Sequence, residues 1–222
     1  YKPSLRDDSS TGLVNPGVLT RCAEEFFWVY SVTQFLLITA ITPSLTAGSI
    51  TDEKERKTLH FLVATDLSGR EIVFGKLAAR VGALFTLVLA GLPIVAFMQL
   101  FGGIEPRLLL VSVSMTLATV ISLAALSVAA SVLLPRTRDA VVLAYALPVG
   151  YLIVSSVAWG ELRRGSDQGW RDVVEAVATG NPFYATNAMG RDLGSDTIPS
   201  AALWYVAFHA VLAILGIALA AG

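Results

Sequence analysis

Catalysis needs nucleophiles, bases or metal ligands at set spacings, and this chain holds few candidates. It has two histidines, His60 and His209, and one cysteine, Cys22. Neither histidine stands in HExxH, no serine stands in GxSxG, and two histidines without companions make no metal or nucleophile site. One cysteine allows neither an intrachain disulfide nor a thiolate cluster. Gly69 with Gly75 and Lys76 invites comparison with the phosphate-binding pattern GxxxxGK[ST]. The match fails: five residues separate the glycines, Leu77 replaces the hydroxyl residue that would reach magnesium, and no strand precedes it. No catalytic residue, cofactor or metal site is expected.

The chemistry that remains is charge. Thr51-Asp52-Glu53-Lys54-Glu55-Arg56-Lys57 is a dense mixed cluster, followed by an apolar stripe of Leu59, Leu62 and Val63 at i, i+3 and i+4. Ser68 and Glu71 form a capping box that opens a second helix running on through Lys76 and Arg80. The expected result is a short helix lying beside the membrane, then a break, then a membrane helix. A solvated connector with ordinary juxtamembrane charges is the other reading of the same residues.

The elements that must position this cluster follow from composition. Apolar residues make up 55% of the chain and charged residues 15%, against about a quarter charged in soluble domains. No charge falls in residues 26–50, 81–104, 108–135, 140–160 or 197–222. Each run reaches the roughly 20 residues that carry a helix across about 30 Å of hydrocarbon. The runs are continuous rather than alternating, which excludes a membrane barrel. The fold expected is all-α, a polytopic membrane helix bundle with spans at about 26–50, 77–104, 108–134, 139–160 and 199–222. Residues 26–222 then form the transmembrane domain, and residues 1–25, rich in turn formers, a loop entering it. The formal net charge of −1, with no concentrated basic segment, argues against nucleic acid.

Lys and Arg near the span ends are denser in residues 51–80 and 135–139 than on the opposite side, which puts segment 51–76 in the cytoplasm. Residues 1–25 and the long polar stretch 161–196 are then extracytoplasmic, and an entry loop on the outside requires an earlier span. Within the five uncharged runs His209 is the one histidine, with no Asp, Glu, Lys or Arg beside it, and is expected as a neutral hydrogen-bonded packing residue rather than a proton relay. Pro43, Pro93 and Pro148 predict kinks. Ala125 with Ala129, and Gly216 with Ala220, have the four-residue spacing that lets helix backbones approach. In the outer stretch, Trp170, Val173, Val174 and Val177 repeat at i, i+3, i+4 and i+7, and Gly180, Asn181 and Pro182 stop the pattern. They predict an interfacial helix with Trp170 at headgroup level.

Thr51 to Leu59, then Ala64-Thr65-Asp66-Leu67-Ser68, then Gly75-Lys76-Leu77 together resemble the permease subunit of an ATP-binding-cassette (ABC) transporter of the exporter-type (type 2) family. The similarity runs more loosely through Gly102-Gly103 to about Ile153. Such permeases have six spans, so the resemblance implies five spans here of an expected six. It also implies a coupling helix between the second and third spans, which would include Glu53, Glu55, Arg56, Thr58, Leu59, Phe61 and Leu62. The family often has Gly where Lys57 stands.

The partners implied are an ABC ATPase subunit, a second permease subunit in a homo- or heterodimer, and the lipid bilayer of the plasma membrane. ATP hydrolysis would lie on the separate subunit. The helix carrying Trp170, Val173, Val174 and Val177 would be one of the short helices at the outer mouth, gating it or packing on its own subunit. Two functions stay open: passage of a substrate, or transmission of force to an extracytoplasmic partner without passing one. The substrate is not legible, because no span carries a charged or strongly polar ligand set.

Overall fold

A computed structural model describes residues 16–55, 69–99, 105–164, 168–191 and 200–221. These residues form helices α1 (Pro16–Thr46), α2 (Thr51–Glu55), α3 (Gly69–Gln99), α4 (Pro106–Leu133), α5 (Thr137–Arg164), α6 (Gln168–Thr179), α7 (Pro182–Arg191) and α8 (Ser200–Ala221), with no strand among the described residues. Five helical stretches are long and apolar enough to cross a membrane: Arg21–Glu55, Glu71–Phe97, Pro106–Leu133, Thr137–Glu161 and Ser200–Ala221. The chain is therefore a polytopic helical membrane bundle.

The first helix starts well before the uncharged run does. The loop expected through residue 25 gives way at Pro16 to helix, with proline at the first helical position, where its missing N–H costs nothing. Arg21 and Glu25 sit exposed on that helix, so a scan for uncharged residues misses it. Its other end carries Pro43, after which the chain tightens: Ala47 N–H donates to Pro43 O at 2.9 Å and Ser49 N–H to Thr46 O at 3.1 Å, before α2 resumes at Thr51. Pro93 and Pro148 likewise lie inside α3 and α5.

Helix α4 is the hub. It packs on α1, α3, α5 and, most extensively, α8, and 50% of its most apolar stretch is buried against 17 to 33% in the other four spans. Its sequence explains this: Thr116, Thr119, Ser122, Ala124, Ala125, Ser127, Ala129, Ala130 and Ser131 are small and buried, so neighbours on several sides come close. The hydroxyls need no outside partner, since Thr116, Thr119 and Ser127 donate to the carbonyls four residues back at 2.7 to 2.9 Å.

At Gly216 the backbones of α4 and α8 come into near contact. A Cβ built on Gly216 would lie 2.8 Å from the Ala125 carbonyl carbon and 2.9 Å from the Leu126 nitrogen. Ala125, Ala129, Gly216 and Ala220 are all buried, so both small-residue pairs face one another as helix backbones in near contact.

Candidate functional site

Two polar assemblies stand out, one at the C-terminal end of α4 and one at its middle. The first is built by α2. Residues 47–50 bring α2 beneath the end of α4, where the Ile50 and Thr51 N–H groups donate to Ser131 Oγ at 3.0 and 2.9 Å. The Lys54 ammonium then reaches the last carbonyls of α4, donating to Ser131 O at 3.2 Å, Val132 O and Leu134 O at 3.5 Å. Across the turn, α5 begins at Thr137. Glu55 Oε1 accepts its N–H at 2.8 Å and Asp52 Oδ1 its hydroxyl at 2.9 Å.

Each charge sits where a helix end favours it. A cation meets carbonyls at the C-terminus of α4, and at the N-terminus of α5 one carboxylate takes the Thr137 N–H and a second takes its hydroxyl. On the remaining side Lys76 of α3 pairs with Glu53 at 2.5 Å and donates to Ser49 O at 2.7 Å. The five residues of α2 thus clasp three helices.

Lys54→Met should loosen this clasp without unfolding the bundle. It removes the bonds to the α4 carbonyls, with a loss of about 1 to 2 kcal/mol expected for a charged donor to a partly buried acceptor. Thermal unfolding of the purified protein should show a lower midpoint, and Lys54→Arg should recover part of the difference.

The second assembly lies at mid-depth. Helices α6 and α7 form a hairpin whose turn, Gly180–Asn181, is sunk among the spans. Asn181 is fully buried; its Oδ1 accepts the Phe183 N–H at 2.8 Å, capping α7, while its Nδ2 donates to Ser155 and Ser156 of α5 at 2.9 and 3.1 Å. Gly180 O faces His209 Nε2 at 3.3 Å, nine residues into α8 from Ser200. At about 1.5 Å per residue the turn therefore reaches roughly 13 Å below the start of α8.

A carbonyl only accepts, so His209 Nε2 carries a proton. In the neutral ring Nδ1 then accepts from Ser122 Oγ, 2.6 Å away. One turn off, the Thr119 hydroxyl donates to Met115 O at 2.9 Å, which leaves it to accept from Tyr205 OH at 2.6 Å. Tyr151 OH donates to Val177 O at 2.8 Å. Beneath the turn lies a cavity of about 260 Å³ walled by α4, α5 and α8, with Thr39 of α1 on the remaining side.

The Ser122–His209 pair is a juxtaposition that sequence reasoning did not foresee. It has the partners of a nucleophile and base, but the second ring nitrogen is spent on a backbone carbonyl and no carboxylate orients the ring among the described residues. It joins helices, as the reading of His209 as a packing residue requires.

Of the residues expected in the coupling segment, Glu53 and Glu55 lie in α2 and are bonded within the chain; Arg56, Thr58, Leu59, Phe61 and Leu62, with Val63 and Ser68, lie outside the described residues. Trp170, Val173, Val174 and Val177 all lie on α6. Trp170 and Val173 are exposed, 66% and 53%, while Val174 and Val177 turn inward. The structure adds that α6 leads down to a buried turn and that a second helix, α7, follows it. The signal for α7 was Asn181-Pro182, an N-cap followed by proline at the first helical position; read alone it marks only where α6 stops. Asp52, Lys54, Ser131 and Thr137 were also missed as a set. Their complementarity is with helix ends, which no motif records.

Residues 20–221 match the family model described as ABC-2 family transporter protein. No curated protein matches the chain.

Proposed function

The chain belongs to the ABC-2 family of transporter proteins and is a membrane permease component; from that premise we propose that it is the transmembrane subunit of an ATP-driven exporter in the plasma membrane. Two such subunits would assemble with two separate ATPase subunits. The segment 51–76 is the coupling element. Closure of the ATPase subunits on ATP displaces it, and differential affinity for two permease states shifts a shared pathway from inward-open to outward-open.

The observation that carries this reading is the clasp. The residues that lead into the connection are bonded through Lys54 to α4 and through Asp52 and Glu55 to α5. A push on the connection would arrive first at the helix that touches most of the others. Purification of the tagged chain from its native membrane, under conditions that preserve complexes, should recover a subunit that hydrolyses ATP. Recovery of intact permease pairs with no ATPase would sink the proposal.

The charge distribution supports an orientation with α2 in the cytoplasm and the α6–α7 hairpin entering from outside. In a Cys22→Ser background, Gln168→Cys should react with an impermeant thiol reagent on intact cells, and Lys57→Cys only after the cells are opened. The reverse pattern would invert the arrangement.

A further inference from the structure

The cavity beneath the α6–α7 turn lies level with the middle of the bundle. Its walls come from Leu123 and Leu126 of α4, Leu147 and Leu152 of α5, and Phe208 and Leu212 of α8, each near the centre of a helix long enough to span a bilayer. The polar side chains that reach it are already committed. Thr119 is bonded to Met115 O and Tyr205, Ser122 to His209, His209 to Gly180 O, and Tyr151 to Val177 O.

Those commitments decide what the cavity can hold. A water molecule needs two to four polar partners, and a charged or strongly polar ligand would leave its hydration without replacement. The lining is instead apolar on its long sides, and Leu147 on α5 is 48% exposed at the edge of the cavity. The outward faces beside it continue in the same character, with Val154 of α5, and Val211 and Leu215 of α8, all more than half exposed. At this depth such faces meet hydrocarbon.

We propose that this cavity is a binding site for one acyl chain of a bilayer phospholipid, entering past Leu147 between α5 and α8 and ending under Gly180 and Pro182. Dispersion contact with six large side chains holds it. The chain would also fill the space on which the re-entrant turn rests, so occupancy supports the hairpin. This assignment is independent of the transport reading, since it rests on cavity walls and depth alone.

The test uses the purified full-length protein, with any subunits that accompany it, in nanodiscs containing a phosphatidylcholine that carries a diazirine midway along one acyl chain. After photolysis, adducts mapped by mass spectrometry should concentrate on Leu126, Leu147, Leu152 and Leu212, several-fold above the lipid-facing Val157. Leu126→Trp should fill the site and remove the excess. Because a tryptophan in the wall can disturb folding, Leu147→Trp provides a second variant at the exposed edge, and it should remove the excess while the protein still elutes as a single species. Labelling of these positions no higher than at Val157, an excess that survives both substitutions in folded protein, or cross-linking of these positions to a second copy of the chain would each overturn the assignment.

Discussion

Gly216→Leu is expected to abolish the folded bundle, and Gly216→Ala to weaken it measurably. The α4–α8 contact is backbone against backbone: even the first added carbon meets the Ala125 carbonyl carbon at 2.8 Å and the Leu126 nitrogen at 2.9 Å. Backbone atoms cannot rotate away as the end of a side chain can, so the helices must separate along their length. Alanine is the better helix former by about 1 kcal/mol, but overpacking costs typically 1 to 3 kcal/mol, so a net loss of about 1 kcal/mol is expected for Gly216→Ala. Leucine adds three more carbons on the same line. It would part α4 from the neighbour it packs on most, and with it the Ser122–His209 and Thr119–Tyr205 bonds that cross the same seam.

Gly82→Ala on α3 is the control, because a Cβ there meets nothing within 4 Å and should be neutral or slightly stabilising. The measurement is the fraction of protein that stays monodisperse after graded heating in detergent. If Gly216→Leu behaved like the unaltered protein, the close seam would have to be abandoned.

On the proposed coupling, Leu59→Asp with Leu62→Asp is expected to leave the permease inserted and to strip it of the ATPase subunit proposed above. The spacing of the two leucines predicts one stripe on the segment that follows α2, and such a stripe on a helix at the membrane surface would need a partner to cover it. Burial of each is worth roughly 1.5 to 3 kcal/mol; together that is about two to four decades of affinity at about 1.4 kcal/mol per decade. Affinity purification should recover permease without ATPase, and any ATP hydrolysis that tracks with the complex should vanish. Glu55→Gln should do far less. Glu55 is engaged with the Thr137 N–H of its own chain at 2.8 Å, and an amide oxygen can still accept that bond. A double aspartate variant that kept its ATPase would show that the stripe packs on the permease itself.

The span count was legible because it is local. Twenty uncharged residues in a row are recognisable without knowing what they touch, as are the stripe of Trp170, Val173, Val174 and Val177 and the isolation of His209 from other ionisable groups. The small residues at 125, 129, 216 and 220 were legible as a spacing, but not as one seam. Where charge entered a helix, as at Arg21 and Glu25, the same rule placed the boundary of α1 too late.

What only the tertiary structure decided is which faces meet. In a bilayer the lipid-facing side of a helix is as apolar as the packed side, so a span lacks the one-sided pattern that marks the buried face of a soluble helix. Nothing local says that α4 is the hub, that Ser122 lies against His209, or that Gly180 reaches mid-depth. The same holds for the clasp, where Lys54 and Val132 are 78 residues apart and Glu55 and Thr137 are 82 apart. The partners of those charges are carbonyls, which every residue carries, and an N–H, which every residue but proline carries. They become a site only where the folding of the chain brings the end of one helix and the start of the next beneath α2.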